Sequence, residues 1–425
     1  MIDVQPPNGI AWTHGQEQAV ELLNRNAPGV CSLMGYAGTG KSLLLAQVVR
    51  ALATQGIDYQ VCCPTGKAAS RLRSLGISAG TIHSWIYIPI KGPDGALAGW
   101  TLRTDRDIPS PYVLLVDEAS MVGPGVFKDL CSILQPGQFG RSMILFGDGF
   151  QLPPILSKDE LDVVGDGFTL MDREIMHELG AAWVHELTEV ARQAGGNAVL
   201  AAATAMRNRV PPPRPDGANL YVQRGRRTLI EGRVRDAAHQ EEDRAFLTWT
   251  NADRCALNKV AREERRFTRE LEVGETLVVL ANHPNGLCNG DLIQVDVVDD
   301  VERYVLDDNR PIFRCRVTTP YSEQIRMPVI LVRGPKDQTA YQTARAIEEH
   351  RGDIGRPIVC DYGYVLTCHK AQGSEFDTVE IYAPDAMQKV IGAEQTARWL
   401  YTAITRAKRR ARFYGGNWLA YSLGA

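Results

Sequence analysis

No stretch of this 425-residue chain approaches the ~20 consecutive apolar residues that a membrane-spanning helix needs. The N-terminal MIDVQPPNG carries an acid and prolines and no apolar core, which argues against a secretion signal. Net charge is also nearly absent. Lys and Arg number 47 against 50 Asp and Glu, −3 overall, so no global field draws the chain to nucleic acid. Any such binding must use local surfaces. The nine cysteines are an odd number and none is spaced as CxxC, which fits reduced thiols in a cytosol better than a disulfide framework. Long internal repeats and low-complexity tails are missing too. The remainder, 44% hydrophobic and 23% charged, is ordinary for a globular protein. At roughly 150 residues per domain the length suggests two to four domains.

What is present is a phosphate loop. Gly35-Tyr36-Ala37-Gly38-Thr39-Gly40-Lys41-Ser42 matches G-x-x-x-x-G-K-[ST]. An apolar run, Val30 to Met34, precedes it as a buried strand, and Leu43 to Leu52 follows as a helix ending at Gly56. The backbone of Gly38, Thr39 and Gly40 would close around phosphates at the helix N-terminus. Lys41 would reach the β- and γ-phosphates, and the Ser42 hydroxyl would bind Mg²⁺. ATP and Mg²⁺ are the expected cofactors.

From about residue 10 to 190, short apolar strands alternate with helical segments, the pattern of a parallel α/β sheet. Tyr59 to Cys63 runs into Pro64-Thr65, Val113 to Val116 into Asp117-Glu118, and Met143 to Phe146 into Gly147-Asp148. Ligands of such sheets sit at the carboxyl ends of strands, where all these motifs lie. Between Trp85 and Pro111, Gly92-Pro93-Asp94-Gly95 marks a hairpin excursion. Pro211-Pro212-Pro213-Arg214-Pro215 is a stiff connector. From Glu275 to about Val332, polar and apolar residues alternate with Asn-Gly turns, as in a small antiparallel β module. α/β character returns at Ile358.

Asp117 is suited to hold Mg²⁺, and Glu118 to orient and deprotonate the attacking water. Gln151, in Gly147-Asp148-Gly149-Phe150-Gln151, could sense the γ-phosphate or simply make a turn. Arg192 and Arg406 fit the need for positive charge in a phosphoryl-transfer transition state, although spacing alone would not select them.

The ordered set GYAGTGKS, CPTGKAA, TIHS, VDEAS, GDGFQLPP, ELTEVARQ, TCHKAQGSEFD and YTAITRA resembles superfamily 1 helicases of the 5′→3′ branch that holds RecD-like and Dda-like proteins. The resemblance covers nearly the whole chain. It implies two RecA-like lobes with ATP in the cleft between them. Gln16 would read adenine, Gly373 and Glu375 would meet the nucleotide from the second lobe, and Arg192 and Arg406 would sense the γ-phosphate. Pro64, Thr65, Thr81 and His83 would contact single-stranded DNA on the first lobe. Thr250, Asn251, Thr367, His369 and Lys370 would do so on the second. The hairpin would be a strand-separating pin with Trp100, then Tyr87, as its working aromatics. The β module would be an SH3-like insertion. The implied division is 1–85 with 109–193 for the first lobe, 86–108 for the pin, 194–276 with 355–425 for the second lobe, and 277–354 for the insertion. One departure is Ala191, where some superfamily members carry an adenine-stacking aromatic.

The expected activity is ATP-dependent unwinding of duplex DNA with 5′→3′ movement on single strands. The expected partners are single-stranded and forked or tailed DNA, with single-strand-binding or replication proteins. The expected setting is a monomer in a bacterial cytosol or a phage-infected cell, with no membrane. Three other readings stand beside it. A single-strand translocase that displaces proteins would show a poor pin. A P-loop kinase or small-molecule NTPase would have no use for TCHKAQGSEFD and YTAITRA. A non-catalytic clamp would not need Lys41, Asp117, Glu118 and Arg406 intact.

Overall fold

Apolar runs without alternation must be covered on both faces, and the N-terminal strands are of this kind. The computed structural model describes residues 2–415 apart from 8–10, 26–27, 92–96, 104–107, 166–167, 191–197, 209, 211–214, 225–226, 238–242, 284, 305–309, 321–322, 335–336, 351–354 and 385. The chain divides into two compact units. The first comprises Met1–Ile90, Trp100–Pro213 and Ala393–Thr405, and the second Lys91–Gly99, Arg214–Gly392 and Arg406–Ala425. Both lobes are RecA-like in architecture: a parallel sheet flanked by helices.

In the first unit, β1 (Gly29–Gly35), β2 (Asp58–Cys63) and β3 (Ala79–Thr81) precede a paired hairpin, β4 (Tyr87–Lys91) and β5 (Leu97–Leu102), of which Lys91 and Leu97 to Gly99 are grouped with the second unit. Then come β6 (Tyr112–Val116), β7 (Arg141–Gly147) and β8 (Trp183–Leu187). Outside the hairpin they form one parallel sheet in the order β3-β2-β6-β7-β1-β8. The helices are α1 (His14–Arg25), α2 (Lys41–Thr54), α3 (Gly66–Ser74), α4 (Ile82–Ile86), α5 (Pro124–Leu134), α6 (Lys158–Val164), α7 (Arg173–Glu178) and α8 (Ala198–Asn208). Side chains of β1 alternate between two cores. Cys31 and Leu33 join Leu23, Leu44 and Leu72 of α1, α2 and α3. Val30 and Met34 join Trp85, Leu130 and Met176 of α4, α5 and α7.

The second unit begins with β9 (Leu220–Arg224), α9 (Arg227–Ala237), β10 (Arg244–Thr248) and α10 (Asn251–Glu264). A closed barrel follows, of β11 (Thr276–Val279), β12 (Leu292–Tyr304), β13 (Arg310–Thr318), β14 (Gln324–Leu331) and β15 (Ile358–Tyr362). α11 (Thr339–His350) lies between its last two strands. β16 (Val365–Thr367), α12 (Cys368–Ala371), β17 (Phe376–Ala383) and β18 (Ala407–Gly415) complete the unit's parallel sheet, ordered β16-β10-β17-β18-β9, and α13 (Met387–Ile404), between β17 and β18, belongs to the first unit from Ala393 on. Helical geometry in α13 breaks at Gly392, whose φ of 77° suits glycine. The barrel is alternating and antiparallel except where β15 runs parallel to β14. β15 lies beyond residue 354, the expected end of the insertion, and its run of apolar residues reads as a sheet strand rather than a barrel edge. Two ion pairs tie the barrel to α10: the buried pair Arg254 with Asp361 at 2.8 Å and the partly buried pair Arg262 with Glu275 at 2.7 Å.

No disulfide joins the cysteines among the described residues, most of which are buried, and none of the helices described is long and apolar enough to cross a membrane. One charge is wholly enclosed in the second sheet. Glu380 of β17 is fully buried and accepts from Arg233 (3.1 Å), Arg244 (3.4 Å), Arg412 (3.2 Å) and the Tyr414 hydroxyl (2.6 Å). Removing one member of such a cluster leaves the others uncompensated, so Glu380→Ala should cost about 3 kcal/mol, the low end because Arg233 and Arg412 retain some solvent. Urea unfolding followed by circular dichroism measures it, and an unchanged midpoint would show that the cluster carries no stability.

Candidate functional site

The phosphate loop forms where β1 ends and α2 begins. Gly38 and Gly40 take φ of 80° and 86°, a left-handed backbone that glycine adopts without strain. A Cβ on Gly35 would stand 2.7 Å from Thr39 Oγ1. The loop thus has the bare, closely approached backbone that a polyphosphate needs. Thr39 is buried, its hydroxyl donating to Tyr36 O at 2.8 Å. Lys41 Nζ donates to Gly35 O (2.6 Å) and Tyr36 O (2.8 Å). Burial lowers the Lys41 pKa, while Asp148, Glu118 and Asp117 oppose the shift.

β6 delivers the acid pair beside the loop. Asp117 is buried, and its N–H donates to Cys62 O at 3.0 Å. Glu118 sits at φ 55°, ψ 38°, a left-handed conformation uncommon for a side chain with a Cβ. Backbone of this kind persists where the surroundings enforce it, often at functional positions. Burial first, and then the Glu118 charge, push the Asp117 carboxyl above its usual range, while Arg71 and Lys41 pull it back. Arg71 of α3 donates to Ser42 Oγ at 3.2 Å and lies 3.6 Å from the Glu118 carboxylate. A cation thus already stands between Ser42, which is expected at the metal, and Glu118, which is expected to activate water; the Ser42 hydroxyl and the Asp117 carboxylate are oxygen donors that suit a divalent ion.

β7 brings a third strand end. Asp148 is fully buried and pairs with Arg207, which also pairs with Glu186. The Tyr401 hydroxyl donates to Asp148 Oδ2 at 2.5 Å and accepts from the phosphate-loop Ala37 N–H at 3.1 Å. The Arg207 guanidinium lies 4.2 Å from the Tyr36 ring centroid. Thr402 accepts from Leu152 N–H at 2.9 Å, and Arg398 donates to Gly149 O at 2.8 Å. Gln151 is buried in the same turn. Arg71, Arg207 and Tyr401 carry no signal in the sequence, because the contacts that define them span from 21 to 364 residues.

Other nominated residues fall into groups. Gln16 is buried, with its amide engaged by the Thr39 carbonyl (2.9 Å) and the Thr13 N–H (3.0 Å). Thr65 and Thr81 cap α3 and α4 at the adjacent ends of β2 and β3, where Cys63 pairs with Thr81. Pro64 precedes the first cap, and His83 is exposed after the second. In the second unit Thr250 caps α10 and Thr367 begins α12, at the adjacent ends of β10 and β16, where Thr248 pairs with Thr367. Asn251 and Lys370 line a cavity of about 270 Å³ with Arg254, Asp361 and Tyr341. Lys370 Nζ donates to Asn289 Oδ1 at 2.7 Å. Burial lowers the pKa of both His369 and Lys370. Arg406 is buried and donates to Ser374 O at 3.4 Å, next to Gly373 (φ 78°) and the half-buried Glu375. Trp100 on β5 is 55% exposed, whereas the Tyr87 hydroxyl is held by Asp129 at 2.5 Å. Arg192, Ala191 and the turn at 92–96 lie outside the described residues.

The loop, the acid pair and the parallel sheet define a P-loop nucleoside triphosphatase class. A family model described as an AAA domain matches residues 11–231, just over half of the chain, and the chain belongs to that family and is of the RecD-like type of superfamily 1. A model of the UvrD-like helicase C-terminal domain matches residues 362–414. The chain is 26% identical to the ATP-dependent RecD2 DNA helicase of Deinococcus radiodurans, covering 96% of this chain and 50% of that one. It is 26% identical to the RecBCD enzyme subunit RecD of Mycobacterium tuberculosis, covering 95% and 69%. The chain thus spans half of the first relative and about two thirds of the second. In fold it is similar to a Bacteroides Pif1 helicase solved with ADP-AlF3 and single-stranded DNA, with a TM-score of 0.58, 19% identity and coverage of 97% and 94%. It is also similar to a Pif1 helicase from a study of unwinding at forked duplex DNA, with a TM-score of 0.56, 18% identity and coverage of 95% and 92%.

Tyr401→Phe would leave Asp148 Oδ2 and the Ala37 N–H short of one partner each. The expected cost is about 1–3 kcal/mol for a buried group deprived of its bond. Calorimetry should show a lower melting temperature, and Arg207→Ala a further loss that does not add to it, because the two share Asp148. Simple additivity would mean that the two contacts are independent.

Proposed function

We propose that the chain is an ATP-dependent DNA helicase that moves 5′→3′ along single-stranded DNA and separates forked or tailed duplex. One observation carries the reading. In the first unit Lys41, Ser42, Asp117 and Glu118 gather at the carboxyl ends of β1 and β6, while Thr65 and Thr81 stand at the neighbouring ends of β2 and β3. Nucleotide chemistry and a row of polar helix starts thus share one sheet edge. The direction of travel rests on the RecD/Pif1 relationship.

In this reading Gly38, Thr39, Gly40 and Lys41 cradle the phosphates, and Ser42 and Asp117 would hold Mg²⁺, whose charge would offset that of the phosphates. Glu118 orients and deprotonates water. Gln16 attends the base, Gln151, Arg192 and Arg406 the γ-phosphate, and Gly373 and Glu375 the nucleotide. Pro64, Thr65, Thr81 and His83, and separately Thr250, Asn251, Thr367, His369 and Lys370, meet the DNA backbone. The β4–β5 hairpin with Trp100 is the separating element. The barrel is the SH3-like insertion, carried past residue 354 by β15, and the other domain bounds are those given above. The protein works as a monomer in a cytosol, alongside single-strand-binding or replication proteins.

Two tests follow. Lys41→Ala should abolish hydrolysis, and Glu118→Gln should keep nucleotide binding while losing single-strand-stimulated turnover by on the order of 10²–10⁴-fold. Near-normal turnover in Glu118→Gln would remove it from the chemistry. A duplex with a 5′ single-stranded tail should be unwound and one with a 3′ tail left intact. Unwinding from the 3′ tail would reverse the polarity. Stimulated hydrolysis with neither duplex opened would leave a single-strand translocase.

A further inference from the structure

Arg71 stands on α3, a nine-residue helix whose first turn is capped by Thr65, in the segment proposed to meet DNA. From the last turn of the same helix its guanidinium bonds Ser42 Oγ at 3.2 Å and approaches the Glu118 carboxylate at 3.6 Å. The side chain retains 30% of its exposure, so it has room to leave. A guanidinium and a divalent cation cannot both hold the Ser42 oxygen, because two cations that close repel and compete for the same lone pair. The short helix is a rigid connection between its capped end and its cationic end. We propose that Arg71 is a positioning residue that occupies the magnesium position at rest, and that α3 couples its release to DNA held at Pro64-Thr65. While seated, it also holds Glu118 away from water activation. DNA and Mg²⁺ are then linked reciprocally, each favouring the state in which Arg71 has left.

This inference rests on the nucleotide and DNA reading above, and its test separates the two. A fluorescent methylanthraniloyl-ADP is bound to the full chain while Mg²⁺ is titrated, with and without an oligothymidylate. The parent should need less Mg²⁺ when DNA is present. Arg71→Ala should need on the order of tenfold less Mg²⁺ without DNA, the factor carried by one charge-assisted hydrogen bond, and DNA should shift it no further. Arg71→Gln, which keeps a polar side chain without the charge, should behave in the same way. An unchanged Mg²⁺ midpoint in both variants overturns the occupancy. A DNA-induced shift of parental size in both overturns the coupling. Loss of analogue binding at saturating Mg²⁺ would make Arg71 a nucleotide ligand and likewise overturn the proposal. A parent that binds no analogue at all would instead sink the nucleotide reading.

Discussion

The first unit is organised around one buried carboxylate. Asp148 has no access to solvent, and an isolated ionised carboxyl in that position would be prohibitive. Its partners come from well-separated segments: Arg207 from the end of α8 and Tyr401 from α13. Tyr401 then reaches the phosphate loop through the Ala37 N–H, and Arg207 lies over Tyr36. Satisfying one negative charge therefore fixes the β7 turn, the loop and two helices against one another. Paired charges of this kind contribute little net stability but strongly restrict which arrangements are acceptable.

The two sheets repeat a local arrangement. In the first, the outer strands β3 and β2 lead into helices capped by Thr81 and Thr65. In the second, β16 and β10 lead into helices that start at Thr367 and Thr250. Thr65, Thr81 and Thr250 each accept from the amide three residues on, whereas the Thr367 side chain caps no amide. Such a start also leaves the positive end of a helix directed outward, a suitable contact for an anionic backbone that carries no sequence information. Local folding chemistry and strand-end ligand chemistry thus select the same residue type.

Much of this was legible in the sequence because the informative residues are local. The loop, the acid pair at the end of Leu114-Leu115-Val116, and the apolar strands carry their meaning within about ten residues. β12 and β13 announced themselves by alternation. β15 did not, since Ile-Val-Cys carries no period of two, and its barrel role depends on pairing with Val278 and Ile330. Arg71, Arg207 and Tyr401 were illegible for a related reason. An arginine in a helix is ordinarily solvated, and only the approach of distant strands turns these into partners of Ser42, Glu118 and Asp148. Tyr87 shows the converse, an aromatic nominated for exposure whose hydroxyl is held by Asp129.

The break at Gly392 bears on the order in which the chain can assemble itself. Residues Ala393–Thr405 belong to the first unit although nearly all of the second is encoded before them. A chain emerging from the ribosome builds the β1–β8 sheet long before Tyr401 exists. Until then Asp148 has Arg207 but lacks its hydroxyl donor, and the Ala37 amide lacks its acceptor. The phosphate loop therefore reaches its final form only after Tyr401 has been made. Nucleotide competence then depends on residues Ala393–Thr405, and a fragment ending at the proline-rich connector would carry every phosphate-loop residue in an unfinished setting.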